Sequence, residues 1–190
     1  MQSRSAETVR IIVEAAARIL EERGFAGYTT NAVAERAGVS IGSLYQYFPA
    51  KQALTVALIE RETALLLADI AAAEHRPDGR SAVLHLIAAA VRHQMRRPVL
   101  ARLLDFEERR LPLGEDERRI SDAFTAMLVG QLARLPALAV DDLHEASTDV
   151  LAMVKGLVDA AGERGETDPG RLEVRVGRAV FGYLGQPPGP

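Results

Sequence analysis

Thr29-Thr30-Asn31-Ala32-Val33-Ala34-Glu35-Arg36-Ala37-Gly38-Val39-Ser40-Ile41-Gly42-Ser43-Leu44-Tyr45-Gln46-Tyr47-Phe48 decides how the rest of this 190-residue chain is read. The pattern predicts two short helices joined by a tight turn. A threonine at 29 or 30 caps the first. Gly38 stands where that helix must stop, because glycine accepts the positive φ of a helix C-cap. Ser40 caps the second helix, predicted over 41–48. Val33, Ala37, Val39, Leu44 and Phe48 fall where two crossed helices share a core, and Ala34 is small enough to permit a close crossing. Ile41, Gly42, Ser43, Tyr45, Gln46 and Tyr47 then point outward. That face carries no Lys or Glu, unlike an ordinary solvated helix. Its hydroxyls, its amide and the gap at Gly42 suit a DNA groove. The reading is a helix-turn-helix.

On the N-terminal side, Val9, Ile12, Val13, Ala16, Ile19 and Leu20 recur at three- and four-residue spacing and predict a helix over 7–23, ended by Gly24. Phe25 and Tyr28 are expected to tuck under the helix-turn-helix, and Arg4 belongs to an N-terminal arm read as solvated. On the C-terminal side Pro49 breaks the second helix. Lys51 sits in the first turn of the next, predicted to run to about residue 73. A lysine there opposes the helix dipole, a cost that a nearby phosphate relieves.

Further breakers divide the remainder into helices over about 81–96, 99–110, 115–135, 142–165 and 169–185. Pro77-Asp78-Gly79 and Pro112-Leu113-Gly114 mark loops, Asp141 or Asp142 caps one helix, and Asp168-Pro169 opens the last. The fold class is therefore all-α with about nine helices. A head over 1–49 precedes a larger helical body over 50–186, and 187–190 form a loose tail. In the last two helices, Val150, Val154, Leu157 and Val158, then Leu172, Val176, Val180 and Phe181, form apolar stripes wide enough to bury more than one face.

Composition narrows the function. The absence of cysteine excludes disulfides, thiol catalysis and cysteine metal sites. Glu14 and Arg18 interrupt the N-terminal apolar residues, which argues against a secretory signal. The longest apolar run, Leu86 to Val91, is too short to span a bilayer. A cytoplasmic protein without membrane association is expected. Net charge is −3, yet six basic residues stand against five acidic ones through residue 52. The head is thus at +1 and the rest at −4. So slight an asymmetry puts the weight of any DNA-binding claim on local placement of charge.

Other motifs have plainer readings. Gly38-Val39-Ser40-Ile41-Gly42 matches the G-x-S-x-G serine elbow literally, but that elbow needs a strand before the serine, and the residues before Ser40 are helical in pattern. His85 and His93 are eight residues apart, and His144-Glu145 lacks the second histidine of H-E-x-x-H. No metal, cofactor or catalytic group is expected. Glu107-Glu108-Arg109-Arg110 and Arg118-Arg119 read as solvated, self-pairing charges.

The first 55 or so residues also resemble the tetracycline-repressor (TetR-type) transcriptional regulators. The likeness rests on Thr29-Thr30, Val33-Ala34, Ala37-Gly38-Val39-Ser40, Gly42-Ser43-Leu44-Tyr45, Tyr47-Phe48 and Lys51, followed by a long helix. The resemblance implies a homodimeric, ligand-responsive regulator, a repressor by family habit, on a palindromic double-stranded DNA operator. It places Thr29, Thr30, Tyr45, Tyr47 and Lys51 on phosphates and Ile41, Gly42, Ser43 and Gln46 on bases. Isoleucine at 41 departs from family members that carry a basic residue there. The stripes of the last two helices become the dimer interface. A small, largely hydrophobic effector is expected among Leu86, His93, Leu103, Leu104, Phe106, Glu107, Phe124, Met127, Leu128 and Met153. Two alternatives share parts of this picture. A constitutive DNA-binding protein would lack a ligand-sized cavity between the helices of 81–164. A helical enzyme would need convergent titratable groups there, and only isolated candidates occur.

Overall fold

Helices begin where a side chain can satisfy their first free N–H groups. The structure, a computed structural model that describes residues 2–108, 115–136 and 138–186, uses that device repeatedly. Nine α-helices and no strand occur among the described residues, so the fold is all-α. The chain divides into two units, Met1–Leu65 and Leu66–Pro190.

In the first unit, α1 (Gln2–Gly27) starts five residues before the expected Glu7. Gly24 interrupts it with φ 59 and ψ −169, and one more turn follows. Then come α2 (Thr30–Ala37), α3 (Ile41–Tyr47) and the opening of α4 (Lys51–Ala71). Ile12, Ile19, Leu20, Leu44, Leu54 and Leu58 are all fully buried. Each is worth about 1.5–3 kcal/mol by removal from water. Ion pairs tie the outer surfaces. Arg36 of α2 forks onto Glu22 of α1 at 2.7 and 2.8 Å. Arg61 of α4 joins Glu14 of α1 at 2.9 Å and its neighbour Glu62 at 2.6 Å. Partly exposed pairs of this kind contribute at most about 1 kcal/mol each, so apolar packing dominates.

In the second unit, α4 ends in a short 3-10 turn, Ala72–His75, and α5 (Gly79–Arg96) follows. Asp78 is its cap, accepting from the Ser81 N–H at 2.7 Å while the Ser81 hydroxyl returns to the Asp78 N–H. This capping box starts α5 two residues before the expected Ser81. The Ser81 N–H is also the main reason the Asp78 carboxyl lies below the usual range. Pro98 opens α6 (Pro98–Glu108) as well as ending α5. After α7 (Glu115–Leu132), Asp142 caps α8 (Leu143–Glu163) and Asp168 caps α9 (Pro169–Tyr183), which has proline at its first position. The Arg4 side chain, Arg109, Arg110, the loop 112–114, the side chains of Arg118 and Arg119, and the tail 187–190 lie outside the described residues.

The core of this unit joins Val83, Ile87 and Val91 of α5, Leu128 and Leu132 of α7, Val150 and Val158 of α8, and Leu172, Val176, Val180 and Phe181 of α9. Most of the stripe residues expected at a dimer interface lie in this core. Val150, Val158, Leu172, Val176, Val180 and Phe181 are at most 4% exposed within the single chain. Within one chain these six keep almost no exposed surface. Val154 and Leu157 are half-buried, packed on the same core. The outward residues of α8 include Ala152 and Gly156, and those of α9 include Arg171, Val174, Arg178 and Gly182. Tyr183 donates to Asp149 at 2.6 Å, tying α9 to α8, and that carboxylate pushes the phenol up to about 12. The connector after α7 is strapped to the end of α9 by the Ala139 N–H on the Leu184 carbonyl, 3.2 Å, and the Gln186 amide on the Pro136 carbonyl, 2.6 Å. No described helix is long and apolar enough to cross a membrane.

Two glycines give opposite stability tests. A Cβ on Gly79 would lie 2.5 Å from the Gln131 carbonyl oxygen, whereas a Cβ on Gly130 would meet nothing within 4 Å. Gly79→Ala should destabilise by about 1–3 kcal/mol through overpacking, and Gly130→Ala should stabilise by about 0.5–1 kcal/mol. Urea unfolding of both variants, read by circular dichroism, checks the two signs.

Candidate nucleic-acid interface

The turn between α2 and α3 is built from backbone. Gly38 takes φ 67 and ψ 29, the left-handed conformation. The Gly38 N–H reaches the Glu35 carbonyl at 3.2 Å and the Val39 N–H reaches the Ala34 carbonyl at 3.0 Å. This pair of reversed bonds satisfies carbonyls that a stopped helix leaves open. Two residues later the Ser40 hydroxyl accepts from the Ser43 N–H at 3.0 Å and starts α3. Thr29 does the same for α2, accepting from the Ala32 N–H at 3.2 Å. Leu44 and Phe48 are buried beneath α3, which fixes the face it turns to solvent.

That face is the expected one. Ile41 and Tyr45 are 39% and 47% exposed, Gly42 and Gln46 are exposed, and Ser43 and Tyr47 are half-buried. Thr29 is exposed and Thr30 half-buried. The Thr30 and Tyr45 hydroxyls share a hydrogen bond of 3.2 Å, which holds the Tyr45 phenol against the start of α2. The Ser43 hydroxyl is 2.8 Å from that of Ser40. A Cβ at Gly42 would touch only the Ser40 hydroxyl, at 3.8 Å, so the gap there opens outward. No carboxylate stands on α3, and Glu22 engages Arg36 nearby. The surface thus offers hydroxyls and an amide to base edges and phosphates, without charge repulsion from its own helix.

Lys51, the first residue of α4, is exposed, and its ammonium lies 5.0 Å from the centroid of the Tyr28 ring. Tyr28 is 1% exposed, and its hydroxyl is hydrogen-bonded to Thr55 Oγ1 at 3.3 Å. Thr55 Oγ1 is also 3.1 Å from the Lys51 carbonyl, closing a small ring of contacts around the lysine. Sequence reasoning placed Tyr28 under the helix-turn-helix but missed its contact with Lys51. A tyrosine just before the Thr29 cap was the available signal.

Elsewhere, the residue before the serine of the apparent G-x-S-x-G elbow follows helix α2, and Ser40 serves as a cap. The geometry of a nucleophile elbow is not there. Both His85 ring nitrogens are engaged: Arg76 donates to Nδ1 at 2.6 Å, and Nε2 donates to the Asp69 carbonyl at 2.8 Å. Of the residues proposed for an effector, Leu104 and Leu128 are buried. Leu86, His93, Leu103, Glu107, Phe124, Met127 and Met153 are half-buried, and Phe106 is 53% exposed. The sequence reading passed over Gln94, which continues the buried face of α5 after Ile87 and Val91 and is 4% exposed. Its amide nitrogen has no hydrogen-bond partner among the described residues and lies against Gly162, where any Cβ would collide with it. An amide in an apolar stripe was the signal. Lys155 joins Asp105 at 3.6 Å and Asp159 at 3.4 Å, linking α6 and α8.

Residues 12–58 match the family profile described as bacterial regulatory proteins, tetR family, and residues 80–184 match a tetracyclin repressor-like C-terminal domain. The HTH-type transcriptional repressor KstR of Mycolicibacterium smegmatis is 43% identical over 51 residues, 27% of this chain and 25% of that protein. Nucleoid occlusion factor SlmA of Glaesserella parasuis is 32% identical over 83 residues, 44% of this chain and 41% of that one. The chain therefore spans less than half of either curated relative. A TetR transcription regulator from Haloarcula marismortui superposes with a TM-score of 0.79 at 19% identity, covering 95% of this chain and 97% of that one, a likeness of fold.

The turn makes a direct prediction. Gly38→Ala should destabilise the first unit by about 1–2 kcal/mol through its left-handed φ, and Ser40→Ala by about 1 kcal/mol through loss of the cap. Amide hydrogen exchange of residues 30–47 should speed up in both variants while that of residues 143–184 is unchanged.

Proposed function

The chain belongs to the tetR family of bacterial regulatory proteins, a family of DNA-binding transcription regulators, and from that premise we propose a homodimeric repressor released from a palindromic operator by a small molecule. The observation that carries the DNA-binding part is the exposed, carboxylate-free face of α3, held in place by the caps at Gly38 and Ser40. Thr29, Thr30, Tyr45, Tyr47 and Lys51 take the phosphates. Gln46 reads adenine through two hydrogen bonds, Ile41 meets a thymine methyl, and Gly42 and Ser43 complete the base-facing set. The functional division is between a DNA-binding head over 1–49 and an effector and dimer body over 50–186. We assign no chemistry to the molecule, and its working partners are DNA, a second copy and the effector.

The dimer surface is read from what the core leaves over. The exposed Ala152 and Gly156 on α8 and Val174 and Gly182 on α9 are small or apolar and allow close helix approach. They lie on the same two helices as the expected stripes, whose Val154 and Leu157 are half-buried and extend this surface. Within the body, the buried Gln94 amide, which has no partner among the described residues, supports an effector site lined by the half-buried set from Leu86 to Met153. A buried donor without a partner costs about 1–3 kcal/mol, and a ligand carbonyl or carboxylate would relieve that cost. Two recognition helices enter successive major grooves only when about 34–36 Å apart. An effector that favours a different spacing a hundredfold supplies about 2.7 kcal/mol towards release. A constitutive DNA-binding protein remains the second reading, separated from the first by whether any ligand weakens binding.

A fluorescence-anisotropy titration with DNA from upstream of the protein's own gene, beside mixed-sequence DNA, tests the reading. Selective binding by a dimer supports it, and a folded protein that binds no DNA overturns it. Gln46→Ala should lose roughly tenfold on the selected site and little on mixed sequence. Lys51→Ala should weaken both alike and lower the salt slope by about one. Gly156→Glu should give monomers in sedimentation and lose operator selectivity, with the head still folded.

A further inference from the structure

We propose that Tyr28 is a positioning residue for DNA binding: its buried ring holds the Lys51 ammonium where the phosphate backbone passes the start of α4. The inference rests on the DNA-binding reading above and adds to it a residue that touches no DNA.

Lys51 stands at a helix N-terminus, where the dipole repels a cation. Its side chain has four rotatable bonds, and freezing them on a phosphate costs entropy that weakens the contact. The Tyr28 ring answers both problems. Its negative face attracts the ammonium, 5.0 Å from the ring centroid, and offsets the dipole. The ring itself does not wander, being 1% exposed and tethered through its hydroxyl to Thr55. Thr55 in turn lies one helical turn beyond Lys51 and reaches the Lys51 carbonyl at 3.1 Å. The ring position and the lysine backbone are therefore set by the same residue.

The ring lies on one side of the ammonium, and Lys51 is otherwise exposed, which leaves N–H groups for another acceptor. A phosphate oxygen can then be added without breaking the ring contact. The lysine is ordered before DNA arrives, and the ordering cost is met in folding instead of binding.

A double-mutant cycle tests this. Binding to a fluorescein-labelled duplex of mixed sequence is measured at low and moderate salt for the wild type, Tyr28→Phe, Tyr28→Leu, Lys51→Ala and Tyr28→Leu/Lys51→Ala. Tyr28→Phe keeps the buried ring and loses only the tether to Thr55, so it should bind much more like the wild type than Tyr28→Leu does. Tyr28→Leu should weaken binding about two- to fivefold, the size of an exposed cation–π contact. In the Lys51→Ala background it should cost nothing further. An equal loss from Tyr28→Leu in both backgrounds, or tighter binding, overturns the proposal and makes Tyr28 a packing residue or a competitor for the lysine. No loss from Lys51→Ala instead removes the phosphate role assigned to Lys51, a failure of the earlier reading. Should Tyr28→Leu not fold, the wild type still decides. The upfield ring-current shift of the Lys51 ε-methylene protons should persist in the DNA complex, and its disappearance on binding overturns the proposal.

Discussion

A single left-handed residue governs this molecule. At Gly38 the backbone turns through φ 67, so α2 closes and α3 opens only three residues later. A longer connection would leave α3 free to choose its angle. Here the reversed hydrogen bonds from Gly38 and Val39, followed at once by the Ser40 cap, leave no such freedom. The burial of Leu44 and Phe48 then converts a fixed angle into a fixed outward face. The proposed base recognition depends on that chain of local constraints, because a helix reads a groove only if the same residues always face it.

Charge enters by placement. A chain of net charge −3 gives no general attraction to DNA. In the head, Arg10, Arg18 and Arg36 are paired with Glu7, Glu14 and Glu22 and brace helices against one another or along themselves. Lys51 rests on an aromatic face, which leaves its charge uncancelled. The recognition helix carries no charge at all, so what it offers is geometry and hydrogen bonding.

Much of this was legible in the sequence, for a physical reason. Caps and breakers act over two to five residues, so Gly38, Ser40 and Asp168-Pro169 announced their helix boundaries directly. Thr29 or Thr30 and Asp141 or Asp142 narrowed two more to adjacent residues, of which Thr29 and Asp142 are the caps. Asp78 was read as loop because a cap looks like a turn residue until the helix after it is known. The stripe on α9 was visible, but periodicity reveals which face is apolar and not what covers it. Leu172, Val176, Val180 and Phe181 are covered by this chain's own core. The residues Tyr28 and Gln94 could be marked out in the sequence, but that one meets Lys51 and the other lies against Gly162 depends on packing between elements, where sequence spacing is silent.

The place of α9 in the core has a consequence for biosynthesis. Five of the fifteen buried residues that form this core cluster, Leu172, Val176, Val180, Phe181 and Leu184, are in or directly after the last helix. A ribosome adds about 5–20 residues per second. From residue 66 to Leu184, synthesis therefore lasts roughly ten seconds. Until α9 is made, α5, α7 and α8 can pack on one another, but the parts of their apolar faces that α9 covers stay open. That uncovered surface is open to chaperones and to misassociation until synthesis is nearly complete, while the residues of the head emerge first.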